Sequence, residues 1–180
     1  RGLFAKNDRN PEPRVDNYKE WGRLGGWTSS SGRGWANLSN APFRMYKRYT
    51  HEGGVATPLI VHWPAGFKAK GELRHAPSHI IDVAPTCLSA AGLSSKGMVG
   101  KSLLPVFAKD SEKVRTLYWE HEGNRAVRKG NYKLVAMHDT PWELYDMSQD
   151  RSELKDLSET MPTKAKELRL LYENWAKRVG

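Results

Sequence analysis

The feature that most restricts the fold of this chain is the run from residue 116 to 179, where the hydrophobic period changes from two to three-and-a-half. Thr116–Glu120 reads as a strand. Arg125–Lys129 and Tyr132–Ala136 flank Gly130-Asn131, a two-residue pair that suits a tight hairpin. Trp142–Asp146 reads as a fourth strand. Ala165, Leu168, Leu171, Tyr172, Trp175 and Val179 then recur on one helical face, with Pro162 near the start where its missing N–H costs little. Four strands followed by one amphipathic helix predict a small antiparallel sheet covered by that helix.

The region before it has another character. Residues 1–40 show neither period and carry Gly25-Gly26 and Ser29-Ser30-Ser31-Gly32, so an irregular segment is expected, with Trp21, Trp27 and Trp35 as its packing groups. Thr57–Trp63 is continuously apolar around Leu59-Ile60-Val61, the pattern of a strand buried on both faces, and Pro64 ends it. His62 is then a core histidine. Asp82 stands as a helix N-cap with Pro85 in the first turn, and Val83, Ala84, Cys87, Leu88 and Ala91 follow at helical spacing before Gly92. Cys87 falls on the apolar face and is expected in the core. Residues 93–113, rich in Gly, Ser and Lys, read as a connector. A boundary there divides the chain into 1–110 and 111–180.

Composition excludes several classes. The longest apolar runs are strand-sized, so no membrane insertion is expected. One cysteine excludes an internal disulfide and a thiolate zinc cage. The net charge of +9 favours anionic partners. The 29 basic residues are interspersed with 20 acids and form no aromatic-basic stripe, so a solvated basic surface is expected and nucleic acid is not. Asp146, Asp150, Glu153 and Asp156 lack the spacing and glycine of a calcium loop and read as a solvated turn.

By spacing alone, Lys47 in Lys47-x4-Glu52-Gly53-Gly54 is a cation on a loop leading to an apolar strand, suited to meeting a tetrahedral anion as a point charge. The ordered blocks say more. Asn40-x-Pro42-Phe43-Arg44, then His51-Glu52-Gly53-Gly54 through Pro64, His79-Ile80-Ile81-Asp82-x-x-Pro85-Thr86, Gly100-Lys101-Ser102-Leu103-Leu104-Pro105, Asn124-Arg125-Ala126-Val127-Arg128, Tyr132-Lys133-Leu134 and Trp142-Glu143-Leu144-Tyr145-Asp146 resemble the arylsulfatases, members of the alkaline-phosphatase-like superfamily. The resemblance runs from about Gly34 to the end.

That resemblance implies an α/β fold of which this chain is the C-terminal part, 1–110 belonging to the large catalytic domain and 111–180 forming the antiparallel sheet-plus-helix subdomain. It implies a sulfuric ester hydrolase that releases an alcohol and sulfate from a sulfated small molecule or sulfated glycan. Lys47 takes the role of the sulfate-contacting catalytic lysine. Glu52 braces its loop, and Gly53 and Gly54 serve backbone geometry. His51 has two readings, a wall of the substrate cleft or packing. His121, at a strand end, is a candidate for substrate contact or a surface histidine in a turn.

The family's formylglycine nucleophile and calcium ion are expected from residues upstream of Arg1. Cys87 is followed by Leu-Ser-Ala-Ala rather than the x-Pro-x-Arg that modification needs, and Asp16-Asn17 is followed by Tyr18 where the family has Gly. The resemblance thus assigns no metal ligand here, implies that these 180 residues alone are inactive, and favours a periplasmic or extracellular location. Phosphate or phosphonate ester hydrolysis on the same scaffold, and a non-catalytic basic module binding acidic glycans, are the alternatives.

Overall fold

A computed structural model describes residues 32–68, 70–110 and 115–180. Trp21, Trp27, Asp16 and Asn17 lie outside the described residues. Two compact units are present: residues 32–57 group with 118–180, and Pro58–Leu117 form the other.

In the first unit, β1 (Thr116–His121), β2 (Asn124–Lys129), β3 (Tyr132–Ala136) and β4 (Glu143–Asp146) form a sheet in chain order, with β2–β3 and β3–β4 antiparallel. Gly130, at φ 60°, turns the β2–β3 hairpin, in the left-handed region where the missing Cβ removes the penalty. Alternation sends Val127, Leu134 and Leu144 to one face, against Leu168 and Tyr172 of α5 (Pro162–Val179). Tyr118 stacks on Trp175 at 5.0 Å, and Trp142 meets Tyr172 edge-on at 5.2 Å. Val179 is exposed instead of packed, because it lies past the buried stretch of the helix, whose buried residues are Leu168 and Tyr172.

The opposite sheet face is not simply solvated. Ala126, Val135, Tyr145 and Met147 form a second apolar cluster there with Trp119. The pairing of Arg128 with Lys133 and of Lys133 with Tyr145 puts polar side chains on the same face.

The N-terminal expectation needs correction. Gly32–Ser39 is a helix, α1, in which Ser39 Oγ and Asn40 Nδ2 donate to the carbonyls of Trp35 and Ala36 four residues back. Trp35 is exposed.

In the second unit, the apolar run 57–63 forms no strand, and Ile60 is 90% exposed. A doubly buried strand needs a hydrogen-bonding neighbour on each side, and no described residue provides one. His62 is accordingly exposed, not in a core. Asp82 precedes α3 (Val83–Ala90), but its carboxylate does not cap that helix. It accepts from the backbone N–H of His79 (2.8 Å) and Lys101 (2.9 Å) and pairs with Arg115 (2.9 Å). What α3 buries is Pro85 and Thr86; Cys87 is exposed, because the helix packs on the 100–103 segment through Thr86. The Thr86 hydroxyl donates to the Asp82 carbonyl (2.6 Å) and accepts from Leu103 N–H (2.8 Å). Within the expected connector, Leu104–Ala108 forms a further helix, α4, begun by Pro105 in its first turn.

Candidate active site

Lys47 sits on the loop between α1 and α2 (Glu52–Val55). The loop folds back over the two glycines. Gly53 N–H donates to the Arg44 carbonyl (2.8 Å), and a Cβ on Gly53 would collide with the carbonyls of Arg44 and Met45. A Cβ on Gly54 would collide with the carbonyl of Tyr49. Neither glycine has a positive φ, so close backbone approach is what demands glycine at both positions. Met45 (φ 64°) and Arg48 (φ 103°) lie in the left-handed region on either side of Lys47, a strained backbone of the sort found at functional loops. Lys47 itself is exposed and bonds to no other described residue.

The residues around it anchor the loop on the polar face of the sheet. Arg44 Nη1 donates to Tyr145 Oη (2.7 Å) and the Glu153 carbonyl (2.7 Å), and lies 3.3 Å from Glu143 Oε2. Tyr145 donates to that same Glu143 oxygen at 2.8 Å, and His51 Nε2 lies 3.2 Å from it. The His51 hydrogen bond, then those of Tyr145 and the Arg44 charge, outweigh burial and hold the Glu143 carboxyl down to about 2. Burial, then the bond to Glu143, pushes the Tyr145 hydroxyl well above its ordinary range.

Beneath lies a buried ion cluster. Lys133, fully buried on β3, stands 2.9 Å from Glu52 Oε1 and 2.8 Å from Glu153 Oε1. Glu153 Oε2 accepts from Glu52 N–H at 2.8 Å, and Arg151 reaches Glu52 Oε2 at 3.3 Å. Burial alone would raise the Glu52 carboxyl; the charge and hydrogen bond of Lys133, with Arg128 and Arg151, more than reverse that and leave it lowered. Glu52 thus fixes the loop to the sheet. The expectation of a solvated turn at 146–156 is corrected for Glu153, which is fully buried because it neutralises Lys133. The aspartates there are turn formers: Asp146 accepts from Ser148 N–H, Asp150 from Leu154 and Lys155 N–H, and Asp156 from Leu144 and Ser158 N–H.

Of the three sequence-predicted site residues, Lys47 and His121 are both exposed. Arg48, next to Lys47, pairs with Glu122 at 2.7 Å, next to His121. His51 is different. It is fully buried against Glu143, and its Nδ1 has no partner among the described residues. The sequence reading missed Lys133, Glu143, Tyr145 and Glu153 as the loop's support. A lysine at an inward strand position between Tyr132 and Leu134 was the one available signal.

No group of three or more His, Cys, Asp or Glu among the described residues could hold a metal ion, so they do not fit the calcium site that the resemblance implies, and exposed Cys87 does not fit a formylglycine precursor. A cavity of about 680 Å³ in the second unit, lined by Val61, Trp63, Phe67 and Lys68 among others, contains none of the predicted site residues.

Comparison with known proteins settles the family. The model of the N-sulphoglucosamine sulphohydrolase C-terminal family matches residues 43–175, a range that includes Lys47 and the whole sheet. The chain belongs to this sulfatase family. It is 32% identical over 154 residues to an uncharacterized sulfatase of Schizosaccharomyces pombe, covering 74% of this chain and 27% of that protein. It is 39% identical over 100 residues to N-acetylgalactosamine-6-sulfatase of Mus musculus, covering 53% of this chain and 19% of that one. Among solved structures it resembles Ps i-CgsB in complex with k-i-k-neocarrahexaose, with a TM-score of 0.68 and 26% identity over 77% of this chain and 34% of that one. The sulfatase chain described here therefore spans roughly a quarter of the curated relatives it matches. Its α/β architecture, with the four-stranded sheet and C-terminal helix, is that of a sulfatase C-terminal portion.

Proposed function

We propose that the protein carrying this chain hydrolyses a sulfate ester to an alcohol and sulfate, and that Lys47 binds the sulfate oxygens. The observation that carries the reading is the loop itself. It lies in the family-matched range, its backbone is held by Gly53, Gly54 and the Arg44 and Glu52 anchors, and it presents the exposed Lys47 ammonium, which bonds to no other described residue. A rigidly mounted cation needs little reorganisation as charge develops on the sulfuryl group and its leaving oxygen, which is the efficient form of electrostatic stabilisation.

His121 would touch the substrate beside Lys47, and the burial of His51 supports its packing reading. A sulfated glycan is the substrate class favoured. The mouse relative is by its name a sulfatase of an amino sugar, and Ps i-CgsB was solved in complex with k-i-k-neocarrahexaose. Calcium and formylglycine would come from residues outside the described part, and Lys47 would act beside them.

The test is turnover of a sulfate ester by the full-length protein with Lys47→Ala. Loss of one donor of this type costs on the order of 100- to 1,000-fold in rate. Full activity in a normally folded Lys47→Ala protein would refute the assignment. The 180-residue chain alone is expected to be inactive, and aryl sulfate turnover by it would overturn that expectation.

A further inference from the structure

One buried side chain joins the three turns that flank Lys47. Asn124, the first residue of β2, is 3% exposed. Its Nδ2 donates to the carbonyl of His121 (3.0 Å) and to the carbonyl of Arg48 (3.4 Å). Its Oδ1 accepts from the N–H of His138 (3.3 Å). The amide thereby uses both donor hydrogens and its acceptor on three separate backbone segments. The bond to His121 closes the β1–β2 turn itself, whereas those to Arg48 and His138 reach 76 and 14 positions along the chain. They tie the Lys47 loop to the β1–β2 turn and to the turn after β3.

A second tie lies outside this one. Arg48 Nε meets Glu122 Oε2 at 2.7 Å, and both residues hold left-handed backbones, φ 103° and 51°. The ring of His138 lies directly over Gly123, where any Cβ would strike it. Asp139, beside His138, is left-handed too, at φ 58°. Of the five non-glycine residues with positive φ among the described residues, four (Met45, Arg48, Glu122 and Asp139) fall in the three turns that Asn124 joins. Strain of this kind persists only where the surroundings over-determine it. A single buried amide with three bonds, reinforced by an ion pair, is such a surrounding.

We infer that Asn124, with the Arg48–Glu122 pair, is a positioning clamp that sets where Lys47 meets the sulfate group. It touches no substrate; it acts through the backbone of Arg48. The inference rests on the reading of Lys47 as the sulfate-binding lysine.

The test is a double-mutant cycle in the full-length protein with 4-nitrophenyl sulfate as probe. Asn124→Ala should lower kcat and kcat/KM together by roughly 10- to 100-fold, the scale of an ångström-sized misplacement. In the Lys47→Ala background the same substitution should cost little more, because the group it positions is gone. A residue that merely supports the fold would multiply its loss onto that of Lys47→Ala. Glu122→Gln, on the exposed side of the clamp, repeats the cycle without touching the core and decides the matter should Asn124→Ala not fold. Wild-type kcat/KM in both clamp variants, or losses that multiply in full with Lys47→Ala, would overturn the clamp and leave the sulfatase reading standing. A harmless Lys47→Ala, or a wild-type protein that does not turn over the probe, would overturn that reading and the clamp with it.

Discussion

Replacing Lys133 with methionine removes one charge from beneath the Lys47 loop and keeps most of the side-chain volume. The structure sets the magnitude. Lys133 neutralises two carboxylates, at 2.9 Å and 2.8 Å, and is itself fully buried. After the substitution Glu52 still faces Arg151 at 3.3 Å, whereas no other cation pairs with the buried Glu153 side chain among the described residues. One uncompensated buried charge remains, not two. The expected loss is therefore that of a single broken buried pair, about 3–5 kcal/mol. For a chain of this size that is a drop of roughly 6–20 °C in Tm. Urea unfolding of wild type and Lys133→Met at pH 8, followed by tryptophan fluorescence, measures the loss. Adding Glu153→Gln, which keeps an acceptor for Glu52 N–H, should restore most of the loss at pH 8. A deficit below about 1 kcal/mol, or one untouched by Glu153→Gln, would show that the cluster does not carry the loop.

Other outcomes follow from neighbouring contacts. Gly53→Ala drives a methyl group into the carbonyls of Arg44 and Met45, and should cost about 1–3 kcal/mol in thermal unfolding and expose the 44–50 loop to limited proteolysis. Glu143, held down to about 2, contributes stability that is present above its unfolded value and lost as pH falls through 2; Glu143→Gln should flatten the acid limb of a stability-against-pH curve between about 4 and 2. Asp82→Ala leaves two backbone N–H groups and Arg115 without their acceptor, so the unit built on 58–117 should lose about 3 kcal/mol or more, read by hydrogen exchange at Lys101 and His79.

The C-terminal unit was legible because its signals are local. Gly130-Asn131 specifies a turn, alternation about it specifies two faces, and the 3.6-residue repeat of 165–175 specifies the helix that covers one of them. The same logic failed for 57–63 and for Cys87. An apolar run reports that burial is wanted without saying which residues provide it, and in this chain none of those described does. The reading of Lys47 came from ordered motifs across the chain, since nothing in a lone lysine separates a ligand from a solvated charge.

What supports that lysine was decided by tertiary structure alone. Nothing local in the sequence names the partners of Asn124 at a strand start, Lys133 within one or Glu153 in an acidic turn. Their partners in the 44–52 loop lie from 76 to 109 positions away along the chain, as in Asn124 with Arg48 and Arg44 with the Glu153 carbonyl. Periodicity and turn chemistry act within a few residues and dictated which elements form. Pairing of buried charges and amides is set by which surfaces meet once those elements pack, and it is there that an exposed lysine acquires a fixed position.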